Sequence, residues 1–254
     1  MVLRPDLREI TRYLGYHGVT PDENMMSEIE QCIGELENVI TPRFVYDRFD
    51  LRQKEEDGRS ILSFGGLETE SKDLARNLKG CTGVYIMAVT LGPGPDRLVR
   101  RASVGKMSRA IIFQAAAAAM TEAWCDEINE RIRKEAAKEG FCTRPRFSPG
   151  YGDLPLSMQK QISMILNMPK EIGVSLTESY LMTPSKSVTA LIGILPGAIN
   201  SDLGSPKSVE KMTANQKPTD ESAASQTATN TAAGKCANCA AAENCPYADK
   251  DDRY

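Results

Sequence analysis

The chain has little of what several broad protein classes need. Aromatic residues make up 6% of it, with one tryptophan, and there is one histidine in 254 residues. A multi-histidine metal centre is therefore excluded. No cationic excess exists: 31 Lys and Arg stand against 34 Asp and Glu, a net charge of −3, so nothing collects nucleic acid through a general positive field. Long hydrophobic runs are missing too. The longest, Val84–Leu91 and Ile111–Met120, fall short of the ~20 residues that span a bilayer, and neither nucleic acid nor membrane is expected as a partner. The start, MVLRPDLREITRYLGY, carries Arg4, Asp6, Arg8 and Glu9 and no apolar h-region, which argues against a secretory signal and for a cytoplasmic location. Seven cysteines are an odd number. Cys32, Cys81, Cys125 and Cys142 are scattered, as suits reduced thiols, and the other three cluster near the end.

What is present is a hydrophobic fraction of 41% beside 26% charged residues, ordinary for a globular protein with a real core. A short helical pattern (Leu7, Ile10, Tyr13, Leu14) ends at Gly15. Thr20-Pro21-Asp22-Glu23 reads as a capping box with proline at the first helical position, predicting a helix over 21–39. Phe44–Phe49 reads as a strand, 53–59 as a polar tip and Ile61–Phe64 as the return. Ser71 can cap a helix that stops at Gly80. Val84–Leu91 is nearly continuous in apolar residues, the mark of a central strand buried on both faces. A break at Gly92-Pro93-Gly94-Pro95 precedes the longest helix, Met107–Lys138. Arg144–Pro155 reads as a shaped loop that is neither helix nor ladder. A helix over 157–168 closed by Pro169 follows, and then Val174–Met182 and Ser187–Leu195 as the arms of a hairpin. From Ser205 to Gly234 the composition turns to Ser, Thr, Ala, Asn, Gln and Lys, which cannot bury enough apolar surface to order itself. The expected organisation is a globular part over 1–204, a linker over 205–234 and a cysteine-bearing tail over 235–254.

Three features carry chemistry. On the long helix, Glu127 with Arg131 and Glu130 with Lys134 have the spacing of stabilising surface pairs, whereas Glu122 finds only Ala118, Ala119, Cys125 and Asp126 three and four residues away. It reaches water or meets a cation from elsewhere, protein or ligand. Ala115–Ala119 on the same helix lacks bulk, which serves tight packing or the close approach of a ligand. The loop Arg144–Asp153 is stiffened by proline, while Gly150 and Gly152 permit positive φ; Arg146 offers a fork for a carboxylate and Tyr151 a flat face. Cys236-x2-Cys239-x5-Cys245 is a tight thiolate cluster suited to an iron–sulfur cluster, zinc or a redox pair.

Arg146-Phe147-Ser148-Pro149-Gly150-Tyr151 resembles the Arg-x-x-Pro-Gly-Tyr signature of the activation (reactivation) domain of cobalamin-dependent methionine synthase. Thr121-Glu122-Ala123 through Glu130-Arg131-Ile132-Arg133-Lys134 is similar to that family's Ala-Glu-Ala…Glu-Arg-Val-Arg-Lys helix. Leu176-Thr177-Glu178-Ser179, with Met182 and Pro184, is similar to its Leu-Thr-Glu-Ser strand and turn. The resemblance covers roughly 80–195. It implies a curved, helmet-like α+β domain with a twisted, mainly antiparallel sheet, flanking helices and a disordered C-terminal tail. By the same resemblance, Glu122, Arg146, Ser148, Gly150 and Tyr151 bind S-adenosylmethionine. The implied function is accessory: S-adenosylmethionine gives its methyl to cob(II)alamin once a donor such as flavodoxin or ferredoxin supplies an electron, which reactivates the enzyme of methionine biosynthesis. Because the sole histidine, His17, lies in Gly-Tyr-His-Gly-Val outside any Asp-x-His-x-x-Gly motif, the cobalamin belongs on a partner chain, a cobalamin-binding methionine synthase subunit. Gly152-Asp153-Leu154-Pro155 after the signature resembles free-standing activation subunits. Two other readings stand beside this one: a Rossmann-type methyltransferase using Gly92-Pro93-Gly94, and a non-enzymatic metal-binding regulatory adaptor built on Cys236, Cys239 and Cys245.

Overall fold

The computed structural model describes residues 3–16 and 18–197. Contacts divide the chain into units at Met1–Pro196 and Gly197–Tyr254, and the elements below all belong to the first. His17 and all of 198–254, including the expected linker and the three tail cysteines, lie outside the described residues.

The all-apolar segment becomes β4 (Gly83–Thr90), buried at every position. It lies inside a six-stranded antiparallel sheet with β1 (Arg43–Glu56), β2 (Arg59–Phe64), β3 (Leu67–Glu70), β5 (Phe141–Thr143) and β8 (Ser187–Pro196), in the order β3-β2-β1-β4-β8-β5. Strand alternation then sends Tyr85, Met87 and Val89 to one core and Val84, Ile86 and Ala88 to another. On the first face lie α1 (Leu7–Tyr13), α2 (Glu23–Glu37), α4 (Gly94–Gly105) and the 32-residue α5 (Met107–Lys138). On the second lie α3 (Lys72–Asn77), α6 (Met158–Ile165) and α7 (Met168–Glu171). Helix α5 is seated on β1 by aromatic contacts. Trp124 meets the Phe44 ring edge-on and donates its indole N–H to the Arg43 carbonyl at 3.0 Å, and the Tyr46 hydroxyl donates to Glu135 at 2.8 Å. The fold is thus mixed α+β, as expected, with the sheet antiparallel throughout.

Several local expectations change. Helix α2 is capped by the Asp22 carboxylate, which accepts from the Met25 amide at 2.8 Å, so Pro21 stands before the helix instead of inside it. The polar stretch 53–59 is mostly ladder: β1 runs on to Glu56 and returns through a two-residue turn, Asp57 and Gly58, both at positive φ. Both faces of this outer ladder are largely exposed, which is why its sequence reads as a loop. Pro169 does not close α6, which ends at Ile165; it sits in the first turn of α7, where its missing N–H matters least. The expected hairpin of Val174–Met182 with Ser187–Leu195 does not form. Instead β6 (Ser175–Leu176) pairs with β7 (Met182–Thr183), and β8 inserts between β4 and β5, where it buries both faces. The loop after β5 is not free of pairing either, since Phe147 and Leu191 exchange both backbone hydrogen bonds, at 2.9 and 2.8 Å.

The Rossmann reading fails on two counts. Its parallel sheet is absent from the described residues, and Gly92 and Gly94 serve packing. A Cβ on Gly92, which has φ +78°, would lie 2.1 Å from the Thr41 hydroxyl, and one on Gly94 would lie 2.1 Å from the Val39 carbonyl oxygen.

Candidate functional site

Residues four apart on a helix share a face, and on α5 this places Ile111, Ala115, Ala118, Glu122 and Asp126 in one stripe. The first part of the stripe floors an apolar groove of about 430 Å³, which Tyr13, Val99 and Met107 also line. The small side chains serve tight packing at Ala116 and Ala117, which are wholly buried in the core, while Ala118 opens onto the groove. At its far end the stripe turns acidic. Partial burial, with the carboxylates of Glu9 and Glu122, pushes the Tyr13 phenol above its ordinary range.

Glu122 does meet a cation from elsewhere in the protein. Arg146, arriving from the loop after β5, places Nη2 3.3 Å from Glu122 Oε2 and donates from Nη1 to Asp126 Oδ1 at 2.8 Å. The side chain of Arg146 is 24% exposed, against 52% for Glu122 and 47% for Asp126, so the carboxylates stand toward solvent with the guanidinium held between them and the domain. An ion pair this exposed contributes at most about 1 kcal/mol to stability. Behind it lies Cys125, whose thiol burial pushes up to about 12; it is a protonated packing group, not a nucleophile. Asp126 was not singled out from the sequence, although its four-residue spacing from Glu122 was the available signal. The expected pairs farther along behave differently. Glu130 does approach Lys134, at 3.5 Å, but binds Arg133 more closely with two bonds of 2.7 Å, while Arg131 lies over the Phe44 ring, 4.8 Å from its centre, and forms no ion pair with Glu127 among the described residues.

Beyond Arg146 the loop turns sharply. Pro149 is buried, Gly150 takes φ +92°, the Gly150 amide donates to Leu154 O at 2.9 Å and the Tyr151 amide to Ser148 O at 3.2 Å. The Tyr151 side chain is left 68% exposed. The structure thus unites Glu122 with Arg146 and holds Ser148, Gly150 and Tyr151 on the adjoining turn, and among the described residues no hydrogen bond or ring contact links Tyr151 to the ion pair. Asp153, a second residue not singled out, sends its carboxylate away from this turn to the start of α3. No three His, Cys, Asp or Glu side chains gather to hold a metal among the described residues, and no described helix is long and apolar enough to cross a membrane. Cys236, Cys239 and Cys245 lie outside the described residues.

In fold, the molecule is similar to a reactivation domain: it superposes with a TM-score of 0.55 on a solved chain described as the crystal structure of the MetH reactivation domain bound to AdoHcy. The two are 20% identical, over 76% of this chain and 75% of that one. Residues 72–204 match the family model described as vitamin B12 dependent methionine synthase, activation domain. The chain belongs to that family.

Proposed function

We propose that the protein binds S-adenosylmethionine at Glu122, Arg146, Ser148, Gly150 and Tyr151 and supports reductive methylation of cob(II)alamin carried by a separate methionine synthase chain. The observation that carries this reading is the Glu122–Arg146 pair, its arginine four residues ahead of the Gly150–Tyr151 turn. Its members suit a zwitterionic amino-acid ligand: a carboxylate for an ammonium or sulfonium, a guanidinium fork for a carboxylate. The 3.3 Å contact between Arg146 and Glu122 is the longer of the two, so it is the one such a ligand would open, each partner exchanging one opposite charge for another. Gly150, with no side chain, lets the backbone come close, and the exposed Tyr151 ring offers a stacking face. When bound, S-adenosylmethionine supplies an electrophilic methyl group; the residues of this chain bind and orient it and leave the reacting metal to the partner. The relative crystallised with AdoHcy, which is S-adenosylmethionine without that methyl, supports the ligand class.

Calorimetric titration with S-adenosylmethionine tests the site. Glu122→Ala and Arg146→Ala should each weaken binding by at least ~1.5 kcal/mol, the lower range for a lost charge-assisted hydrogen bond, with the thermal midpoint little changed. Wild-type affinity in both variants would remove the assignment.

A further inference from the structure

We infer that Asp153 is a positioning residue for the ligand loop and that it acts through helix α3, an inference that rests on the S-adenosylmethionine reading of that loop. Asp153 lies two residues past Tyr151 and points away from the Arg146 pair. Its carboxylate crosses 80 to 82 residues of sequence to the start of α3, where Oδ1 accepts from the Ser71 hydroxyl and, at 3.2 Å, from the Asp73 amide, and Oδ2 accepts from the Lys72 amide at 2.7 Å. These amides have no intrahelical acceptor, so the loop supplies what the helix lacks. Ser71 stands in the middle, donating to Asp153 while its oxygen accepts from the Leu74 amide at 3.0 Å.

The same loop grips the other end of this segment. Arg144 Nη2 donates to Lys79 O at 2.9 Å, and Asn77 Nδ2 donates to Pro145 O at 3.4 Å. Residues 71–79 thus lie like a splint along residues 144–153, tied at both ends, with the ligand residues 146–151 between the ties. Gly152 makes the fit close: at φ +53°, a Cβ there would stand 2.4 Å from an oxygen of Asp73. Burial pushes the Asp153 carboxyl up, but the hydrogen bonds from Ser71, Lys72 and Asp73 outweigh it and hold the group below the ordinary aspartate range. The ionised form is the one that serves as anchor.

A loop held in shape before its ligand arrives has less freedom to lose on binding, and the coupling is reciprocal: whatever the splint does for the ligand, the ligand does for the splint. Occupancy near Tyr151 should therefore quiet the α3 amides, which the ligand does not touch.

The test uses the full chain, as wild type, Asp153→Ala and Asp153→Asn, with calorimetric titration of S-adenosylmethionine and amide hydrogen exchange with and without it. Asp153→Ala should bind roughly tenfold more weakly, and Asp153→Asn, which keeps one acceptor oxygen, should recover part of the loss. In the wild type, ligand should slow exchange at Lys72, Asp73 and Leu74, and this slowing should vanish in Asp153→Ala. Without ligand, Asp153→Ala should exchange faster at Gly150 and Leu154, whose amides close the turn. Wild-type affinity in Asp153→Ala, or α3 amides indifferent to ligand in the wild type, would overturn the inference. Should the wild type fail to bind S-adenosylmethionine, the reading of the ligand falls, and the ligand-free exchange at Gly150 and Leu154 still decides whether Asp153 anchors the loop: unchanged rates there would refute it.

Discussion

Single buried residues set the chemistry that this domain avoids. Cys32, Cys81 and Cys125 are buried and unpaired. Desolvation pushes the Cys32 thiol up to about 11 and Cys125 up to about 12, with Cys81 moved the same way. Thiolate is the reactive form, so iodoacetamide at pH 8 should modify the half-buried Cys142 well before these three, as peptide mapping would show. The pH dependence has a definite sign. Above the ordinary thiol value of 9.0 the unfolded chain releases protons that folded Cys32 and Cys125 retain, so their contribution is complete below pH 9 and drains away as pH rises toward 11 to 12. Thermal midpoints recorded from pH 8 upward should fall across that window. Around Glu122 the sequence indicated an unmet charge, because the absence of a basic residue three or four positions away can be read directly. It could not indicate which cation would answer, since Arg146 is brought in by the Phe147–Leu191 bridge, and a backbone pairing across more than forty residues leaves no local signature.

At the scale of elements, turns decide more than propensities do. Asp57-Gly58 joins β1 to β2 with nothing packed over Gly58, whereas Gly94 is pressed against the Val39 carbonyl. Gly58→Ala should therefore lose only about 1 kcal/mol, the left-handed penalty of a single residue. Gly94→Ala must displace backbone and should lose more than ~2 kcal/mol. Chemical denaturation of the two variants distinguishes conformational strain from collision, and equal losses would mean that the Val39–Gly94 contact yields easily. The same contrast explains what could be read in advance. Strand β4 and helix α5 were legible because burial on both faces and a long 3.6-residue period are written in consecutive residues. The partner of β8 was not, since Val174–Met182 and Ser187–Leu195 both carry strand-like composition, and the choice between pairing with each other and inserting beside β4 depends on how many apolar faces each can bury. A polar ladder such as the outer half of β1 is legible only through its turn.

For the whole molecule, the division at Pro196 and the polar composition of 205–234 lead to one expectation. Removing 205–254 should leave the calorimetric midpoint of the remaining domain nearly unchanged and abolish any iron, labile sulfide or zinc that the anaerobically purified full chain carries on Cys236, Cys239 and Cys245. A large fall in midpoint would show that the tail supports the domain, and metal retained by the shortened chain would place its ligands elsewhere. The ends of the sheet bear on how the molecule behaves in company. Strand β3 is four residues long, about 13 Å, and places exposed Glu68 and Glu70 along its length; β5 at the opposite end is three residues long, about 10 Å. A foreign strand adding beyond β3 would find four residues to pair with and would have to settle beside two carboxylates, and one adding beyond β5 would find three. Stacking of copies through either end strand should therefore be disfavoured in concentrated solution.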